Sequence, residues 1–139
     1  MALNEIFKGM ENGAEAIDQN FKQFGTSQQY FSGKVQLKGG FTGDIFVARS
    51  GNVVSIYGWV NNANELASMS ETTVLTLPVG YRPSSWTTLR QQGSYTHSFL
   101  ETINTNGDLT ISRYTDTKFG KNTWINLFAT FITKDEYPA

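Results

Sequence analysis

Apolar residues recur at alternating steps of four and three through the first twenty-four residues. This spacing forms a heptad seam, which is typical of helices that associate along a narrow stripe. It predicts a helix over residues 3–24 whose apolar stripe is covered by the same helix of other subunits. The bulky phenylalanines favour a three-helix bundle over a dimer. The alternative is that the helix folds back onto its own domain. The heptad seam consists of Leu3, Phe7, Met10, Ala14, Ile17, Phe21 and Phe24.

Two glycines interrupt this helical pattern. Gly9 and Gly13 each cost about 1 kcal/mol relative to alanine inside a helix. The run from Asn12 to Glu15 also has the form of a helix N-cap followed by a glutamate three positions later. The pattern therefore also allows two helical pieces, a short one that ends near Met10 and a longer one from Gly13.

After a polar connector at residues 25–33, the pattern changes to the alternation of β-strands. Turn residues at 50–52 and 104–107 predict two hairpins. Strand 124–132 is apolar on both faces, so we expect it at the centre of a sheet. The fold class is mainly β, with a compact antiparallel β-sandwich or jelly-roll-like barrel over 34–139 after the N-terminal α-helix. The predicted strands are 34–38, 44–49, 53–60, 73–77, 86–91, 95–103, 108–114 and 124–132.

Composition removes several classes of function. The chain has no cysteine, which excludes disulfides, thiolate catalysis and cysteine-ligated zinc. Its net charge is −1 without a basic cluster, which argues against nucleic-acid binding. No apolar run is long enough to span a membrane, and Asn4, Glu5 and Lys8 interrupt any signal-peptide pattern. Aromatic residues make up 14% of the chain and charged residues 17%, which suits a β-rich domain with large apolar side chains.

Catalytic and metal-binding patterns are scarce. His97 is the only histidine, and no nucleophile elbow or triad spacing accompanies it. The acids after residue 25 lie mostly in predicted turns, and one histidine with scattered acids gives no metal-ligand spacing. Glu101 is the exception because it lies within a strand, and there we expect it on the solvent face. We therefore predict neither an enzyme nor a cofactor or metal site.

Two short sequences resemble proteins of tailed phages. Residues 7–21, FKGMENGAEAIDQNF, resemble the N-terminal anchor of baseplate receptor-binding proteins from phages of lactococci and related Gram-positive bacteria. Residues 77–83, LPVGYRP, are similar to a sequence common in the C-terminal β domains of phage tail proteins. The resemblance implies an anchor at 1–24 that contacts other baseplate proteins, a connector at 25–33 and a receptor-binding head at 34–139. It also implies a place in the virion tail tip, after assembly in the bacterial cytoplasm.

A head of this kind would bind host cell-wall saccharide. Aromatic rings stack on the apolar face of a sugar, and polar side chains surround its hydroxyl groups. Trp86 is the leading candidate because it follows a Pro-Ser-Ser loop exit. Trp59 lies at the end of a hairpin strand, where a ligand contact and a packing role are equally plausible interpretations. Trp124 opens the most apolar strand, so we expect it in the core or a subunit interface.

Four polar or aromatic residues extend this candidate site. Arg82 and Arg90 could contact phosphate groups on a wall polysaccharide, because a guanidinium binds phosphate through two hydrogen bonds. The alternative for both is a salt bridge or an exposed position. His97 and Tyr95 are expected near the same end of the head, and an ordinary strand position is the alternative for His97.

The sequence thus predicts a homotrimeric phage receptor-binding protein that attaches to host saccharide without cleaving it. Three identical weak sites on one particle would raise avidity without a strong single site. One alternative is a structural tail adaptor whose aromatic residues serve only as core and interface. Another is a polysaccharide depolymerase, which the absence of a β-helix repeat and of an acid pair disfavours.

Overall fold

Two antiparallel sheets form the main part of the protein, as the alternating pattern predicts. The computed structural model describes residues 3–7, 9–27, 30–94, 97–112 and 118–138. Its elements are α1 (Gly13–Ser27), β1 (Tyr30–Lys34), β2 (Phe41–Ser50), β3 (Val53–Asn62), β4 (Glu71–Thr76), β5 (Thr87–Gln92), β6 (Ser98–Ile103), β7 (Asp108–Ser112) and β8 (Trp124–Ile132). Sheet A has the order β1-β2-β3-β8, and sheet B has the order β4-β7-β6-β5. The mainly β, two-sheet prediction is therefore confirmed.

The hydrophobic core lies between the inner faces of the two sheets. Every second side chain of β2 and β3 points inward, so the alternation in the sequence becomes one buried face. Each fully buried aliphatic side chain contributes about 1.5–3 kcal/mol relative to an exposed one. Both predicted hairpin turns are present, and Gly51 and Gly107 adopt the positive φ angles that these turns require. The core includes Ile45, Val54, Ile56, Val60, Ile103, Leu109, Ile111 and Leu127.

The N-terminal helix is shorter than the heptad seam predicts. It begins after Asn12, where the capping pattern places the start of the second helical piece, and the described residues before it are not helical. Gly9 has a φ of 82°, which no right-handed helix accommodates. Asn4 folds back onto the helix, where its backbone N–H donates to the Asn20 side chain at 2.7 Å and its amide donates to Gln19 at 2.9 Å. The prediction of a continuous helix over 3–24 is therefore wrong.

The heptad seam is consequently divided between two conformations. Leu3 and Phe7 precede the helix, whereas Ile17 and Phe21 lie on it, and all four are exposed. Among the helix residues whose side chains the structure describes, the buried one is Ala16, which is outside the seam. Met10 is half-buried and Ala14 exposed, and the side chain of Phe24 lies outside the described residues. No helix in the described part of the chain is long and apolar enough to cross a membrane.

The first strand also lies earlier than predicted. The helix continues to residue 27 and β1 begins at residue 30, within the predicted connector at 25–33. The predicted strand 34–38 instead leaves sheet A, and Leu37 forms an isolated bridge to Leu75 of sheet B. Alternation alone misplaced this strand because Val35 and Leu37 both contribute apolar side chains while the chain crosses between the sheets.

Strand β8 lies at an edge of sheet A rather than at its centre. Its inward residues are buried, but Trp124, Phe128 and Ile132 on its other face are exposed. Apolar residues on both faces predicted a central strand, and that prediction is wrong because the outer face of this sheet is itself apolar. The edge is protected by the segment after β5, where the Ser94 N–H donates to the Trp124 carbonyl at 2.9 Å.

One buried cation holds the C-terminal residues against sheet A. Arg49 is 1% exposed and donates to the carbonyls of Asp135 at 2.8 Å and Glu136 at 3.0 Å. Nη1, the nitrogen that donates to Glu136, also donates to the Gly80 carbonyl, and the guanidinium carbon lies 4.3 Å from the centre of the Tyr137 ring. This contact fixes the 78–82 loop and the C-terminal segment together.

Candidate binding site

The outer face of sheet A carries an aromatic surface that crosses three strands. Register places Phe46 of β2 opposite Tyr57 of β3, and Tyr57 opposite Phe128 of β8. The rings of Phe46 and Tyr57 stack with centroids 5.6 Å apart. All three side chains are exposed, and half of Phe128 is accessible. A contiguous exposed apolar surface of this kind makes this face a candidate for contact with a ligand or another protein.

Two tryptophans and two asparagines form the next part of this face. Trp59 lies opposite Asn126, and Asn61 lies opposite Trp124. The tryptophans are therefore diagonal neighbours, whose backbones lie about 7–8 Å apart in an antiparallel pair. Each tryptophan is 45% exposed. The two side-chain amides have no hydrogen-bond partner among the described residues. We call Trp59, Asn61, Trp124 and Asn126 the Trp-Asn cluster.

The charged residues next to the Trp-Asn cluster neutralise each other. Asp44 lies opposite Trp59 and forms an ion pair with Lys34, at a site where both side chains are largely exposed. Solvent screening keeps the contribution of such a pair to about 0–1 kcal/mol. The surface therefore offers aromatic rings and neutral amides rather than a net charge. Rings with amides beside them suit a ligand with an apolar face and hydroxyl groups at its edge.

The structure separates the residues that the sequence grouped around Trp86. Trp86 precedes β5 and is 67% exposed, at the end of the β5–β6 hairpin where Thr87 pairs with Ile103. His97 precedes β6 at the opposite end, and six residues of strand separate the two by about 20 Å. Tyr95 lies outside the described residues. Trp86 and His97 therefore do not lie at the same end of the head, contrary to the prediction from the sequence.

The two arginines also have different surroundings. Arg82 donates through Nε to the Leu77 carbonyl at 3.0 Å, a structural contact within the 77–82 loop. Arg90 is exposed on the outer face of sheet B, opposite Leu100. It thus lies on the other side of the sandwich from Trp59. These positions do not form one anion site.

His97 lies closer to the Trp-Asn cluster than to Trp86. Its backbone N–H donates to the Ser94 carbonyl at 3.2 Å, and Ser94 in turn hydrogen-bonds Trp124. Its half-buried ring meets Phe119 edge-on, with centroids 4.7 Å apart. The ring of His97 therefore packs against Phe119 near the Trp124 end of β8.

A buried carboxyl group lies behind the aromatic face. Glu101 is 0% exposed and points into the core, which corrects the expectation that it faces solvent. Gln91 Nε2 donates to Glu101 Oε2 at 2.8 Å and to the Phe128 carbonyl at 2.6 Å, and Oε1 has no hydrogen-bond partner among the described residues. Burial raises the pKa of Glu101 to about 7, against the opposing effects of the Gln91 hydrogen bond and of the nearby Phe128 backbone. Through Gln91, Glu101 is thus connected by hydrogen bonds to the backbone of β8.

Sequence reasoning missed most of the Trp-Asn cluster. Trp124 was expected in the core or an interface, and Asn61 and Asn126 gave no signal of their own. Only the pairing of β3 with β8 brings these residues together, and about sixty residues of chain separate the two strands. Among the described residues, no group of three or more acids and histidines is arranged to hold a metal ion.

Comparison with known proteins finds a likeness of fold but no match of sequence. No protein-family model matches the sequence, and no curated protein does. The fold is similar to the crystal structure of the head domain of lactococcal phage bIL170, a receptor-binding domain, with a TM-score of 0.62 and 14% sequence identity. The match covers 75% of this chain and 98% of that one. The two-sheet fold of this chain therefore resembles a phage receptor-binding head domain.

Proposed function

We propose that this chain is a phage tail receptor-binding protein that attaches the virion to host cell-wall saccharide. The fold likeness to a lactococcal phage head domain supports the phage context. The observation that carries the proposal is the Trp-Asn cluster on the outer face of sheet A. A pyranose ring stacked on either tryptophan would lie within reach of an amide that has no other partner in the described residues.

We also propose that the protein acts as a homotrimer anchored through its N-terminal residues. Ile17 and Phe21 leave an apolar stripe on α1, and self-association would cover it. Trimerisation would present three copies of a weak site, and avidity then exceeds single-site affinity by two or more orders of magnitude. Other baseplate proteins would contact the same N-terminal region.

The test is attachment of fluorescently labelled protein to candidate Gram-positive hosts, before and after their wall polysaccharide is removed. We expect saturable binding that disappears with the polysaccharide and weakens at least tenfold in Trp59→Ala and Trp124→Ala. Trp86→Ala is the matched control because Trp86 is also an exposed tryptophan but lies outside the cluster. Equal loss in all three variants, or loss only in Trp86→Ala, would refute the Trp-Asn cluster as the site.

A structural tail adaptor is the second candidate, and the apolar row of Phe46, Tyr57 and Phe128 favours it because such a surface also suits a protein partner. An adaptor would ignore every host strain yet bind a purified tail protein. Light scattering on the same preparation tests the trimer, for which the expected mass is three times 15.5 kDa. A monomer would contradict the role assigned to α1.

A further inference from the structure

A crevice lies where the chain crosses from sheet A to sheet B. β1 ends at Lys34, the Val35 N–H donates to the Ile45 carbonyl at 2.9 Å, and Leu37 then bridges to Leu75. Because this crossing is a single irregular segment, the edges of the two sheets do not close fully here. The resulting crevice has a volume of about 330 Å³.

The crevice has an apolar lining and one aromatic side chain. Val35, Val47 and Pro78 contribute aliphatic surface, and Tyr81 contributes a ring that also packs against the core. The Tyr81 backbone N–H donates to the Pro78 carbonyl at 3.2 Å, which holds the loop in a turn. The Arg49 contact to Gly80 fixes the same loop from behind. The lining is therefore preformed.

The charged groups at the crevice are already paired. Lys34, which lines it, forms the ion pair with Asp44. Lys38 Nζ donates to Thr76 Oγ1 at 2.6 Å, and Thr76 is also hydrogen-bonded to the carboxylate of Asp108. An ionic ligand would have to displace these partners.

Two neutral groups remain uncommitted in the part of the chain that the structure describes. The amide of Gln36 and the hydroxyl of Tyr81 both belong to residues that line the crevice, and neither has a hydrogen-bond partner. Each can donate and accept, which matches the hydroxyl groups of a sugar. The volume is at the lower end of the roughly 300–1,000 Å³ of small-molecule sites, which suits one ring rather than a chain of several.

We propose that this crevice binds a single neutral sugar ring and is a second site, separate from the Trp-Asn cluster. The choice of a sugar as the ligand class rests on the proposed function, whereas the neutrality of the ligand rests on the crevice itself. β1 and β8 form opposite edges of sheet A, three strand spacings or about 14 Å apart. Each head would then contact a wall polysaccharide at two places.

The test is titration of ¹⁵N-labelled protein with methyl α-D-glucopyranoside, methyl N-acetyl-β-D-glucosaminide and, as a charged comparison, methyl glucuronide. We expect saturable amide shifts at Gln36, Val47, Thr76 and Tyr81 with the neutral glycosides, at millimolar concentration, and weaker shifts with the glucuronide. The variant that combines Gln36→Ala with Tyr81→Phe should bind the neutral glycosides about tenfold more weakly, measured as a higher dissociation constant from the same titration. It removes two hydrogen-bonding groups and no core volume.

Absence of saturable shifts at these amides, shifts that persist unchanged in the double variant, or stronger binding of the glucuronide would each overturn the crevice site. Trp124→Ala separates this proposal from the proposed function, because it should leave the crevice shifts intact while reducing attachment to cells. Cell attachment without glycoside shifts would reject the crevice alone. Crevice shifts without any polysaccharide-dependent attachment would reject the proposed function and retain the crevice.

Discussion

The buried carboxyl of Glu101 should make the stability of the protein depend on pH between about 4.5 and 7. Burial raises its pKa from 4.5 in the unfolded chain to about 7 in the folded protein, so the folded state favours the protonated form. The stabilising effect of that proton is fully present below pH 4.5 and is lost as the pH rises through 7. Each unit of pKa difference is worth about 1.36 kcal/mol, so the total loss is about 3 kcal/mol.

Glu101→Gln should remove this dependence without changing the shape of the side chain. The variant amide has no charge to desolvate, and its oxygen can still accept the hydrogen bond from Gln91. We therefore expect the free energy of unfolding to match the wild type near pH 4.5 and to exceed it by up to about 3 kcal/mol near pH 8.5. Urea denaturation at a fixed protein concentration measures both values, and an unchanged m value shows that the unfolding transition is the same.

Glu71→Gln is the matched control, since Glu71 is an exposed strand acid and its replacement should move the whole curve by less than about 0.5 kcal/mol. A difference in unfolding free energy between wild type and Glu101→Gln that is the same at every pH would refute a raised pKa for Glu101. A difference that grows toward acid would also refute it, because a carboxylate stabilised in its ionised form gives the opposite sign.

Three further outcomes follow from the packing. Arg49→Lys should destabilise the protein by at least about 2 kcal/mol in urea denaturation, because one ammonium cannot reach several carbonyls at once, whereas Arg90→Lys on the exposed face should have no measurable effect. Gly58→Ala should abolish folding as judged by circular dichroism, since its Cβ would lie 2.0 Å from the Asp44 carbonyl oxygen at a φ of 144°; Gly120→Ala, with open space around it, should fold normally. Phe21→Ser should lower the oligomer mass measured by light scattering while leaving the β-sheet spectrum unchanged, and an unchanged mass would remove Phe21 from the interface.

The sheets could be predicted from the sequence because alternation and turn chemistry are local signals. The hairpin between β6 and β7 depends on a turn of four residues that ends in Gly107, and the structure has that turn. The N-terminal extent of the helix was overestimated because its signal was also local. A heptad count registers spacing but not the backbone angle of Gly9 or the hydrogen bonds between Asn4 and Asn20.

The burial of Glu101 could have been predicted from the residues two positions away on its strand, but the residues directly beside it suggested the opposite. Leu100 and Thr102 on either side suggested an exposed position, but Phe99 and Ile103, two residues away, share its face and are buried. The Trp-Asn cluster had no such signal. Its members meet only through the register of β3 against β8, and a shift of one residue would move Trp124 to the inner face.

The position of the Trp-Asn cluster accounts for how a weak surface site could still be well ordered. Trp124 and Asn126 belong to β8, an edge strand that has a neighbouring strand of sheet A on one side only. Ser94 hydrogen-bonds the backbone of Trp124, and Gln91 hydrogen-bonds the Phe128 carbonyl, so β5 and the segment after it hold the edge strand at two points. A preorganised surface loses little entropy on binding, which benefits a site with few polar contacts.

Gln91→Ala should therefore weaken attachment to host cells, although the Gln91 side chain does not belong to the aromatic face. Amide hydrogen exchange along β8 should become faster in the same variant. Faster exchange with undiminished attachment would show that the site does not depend on the order of this strand.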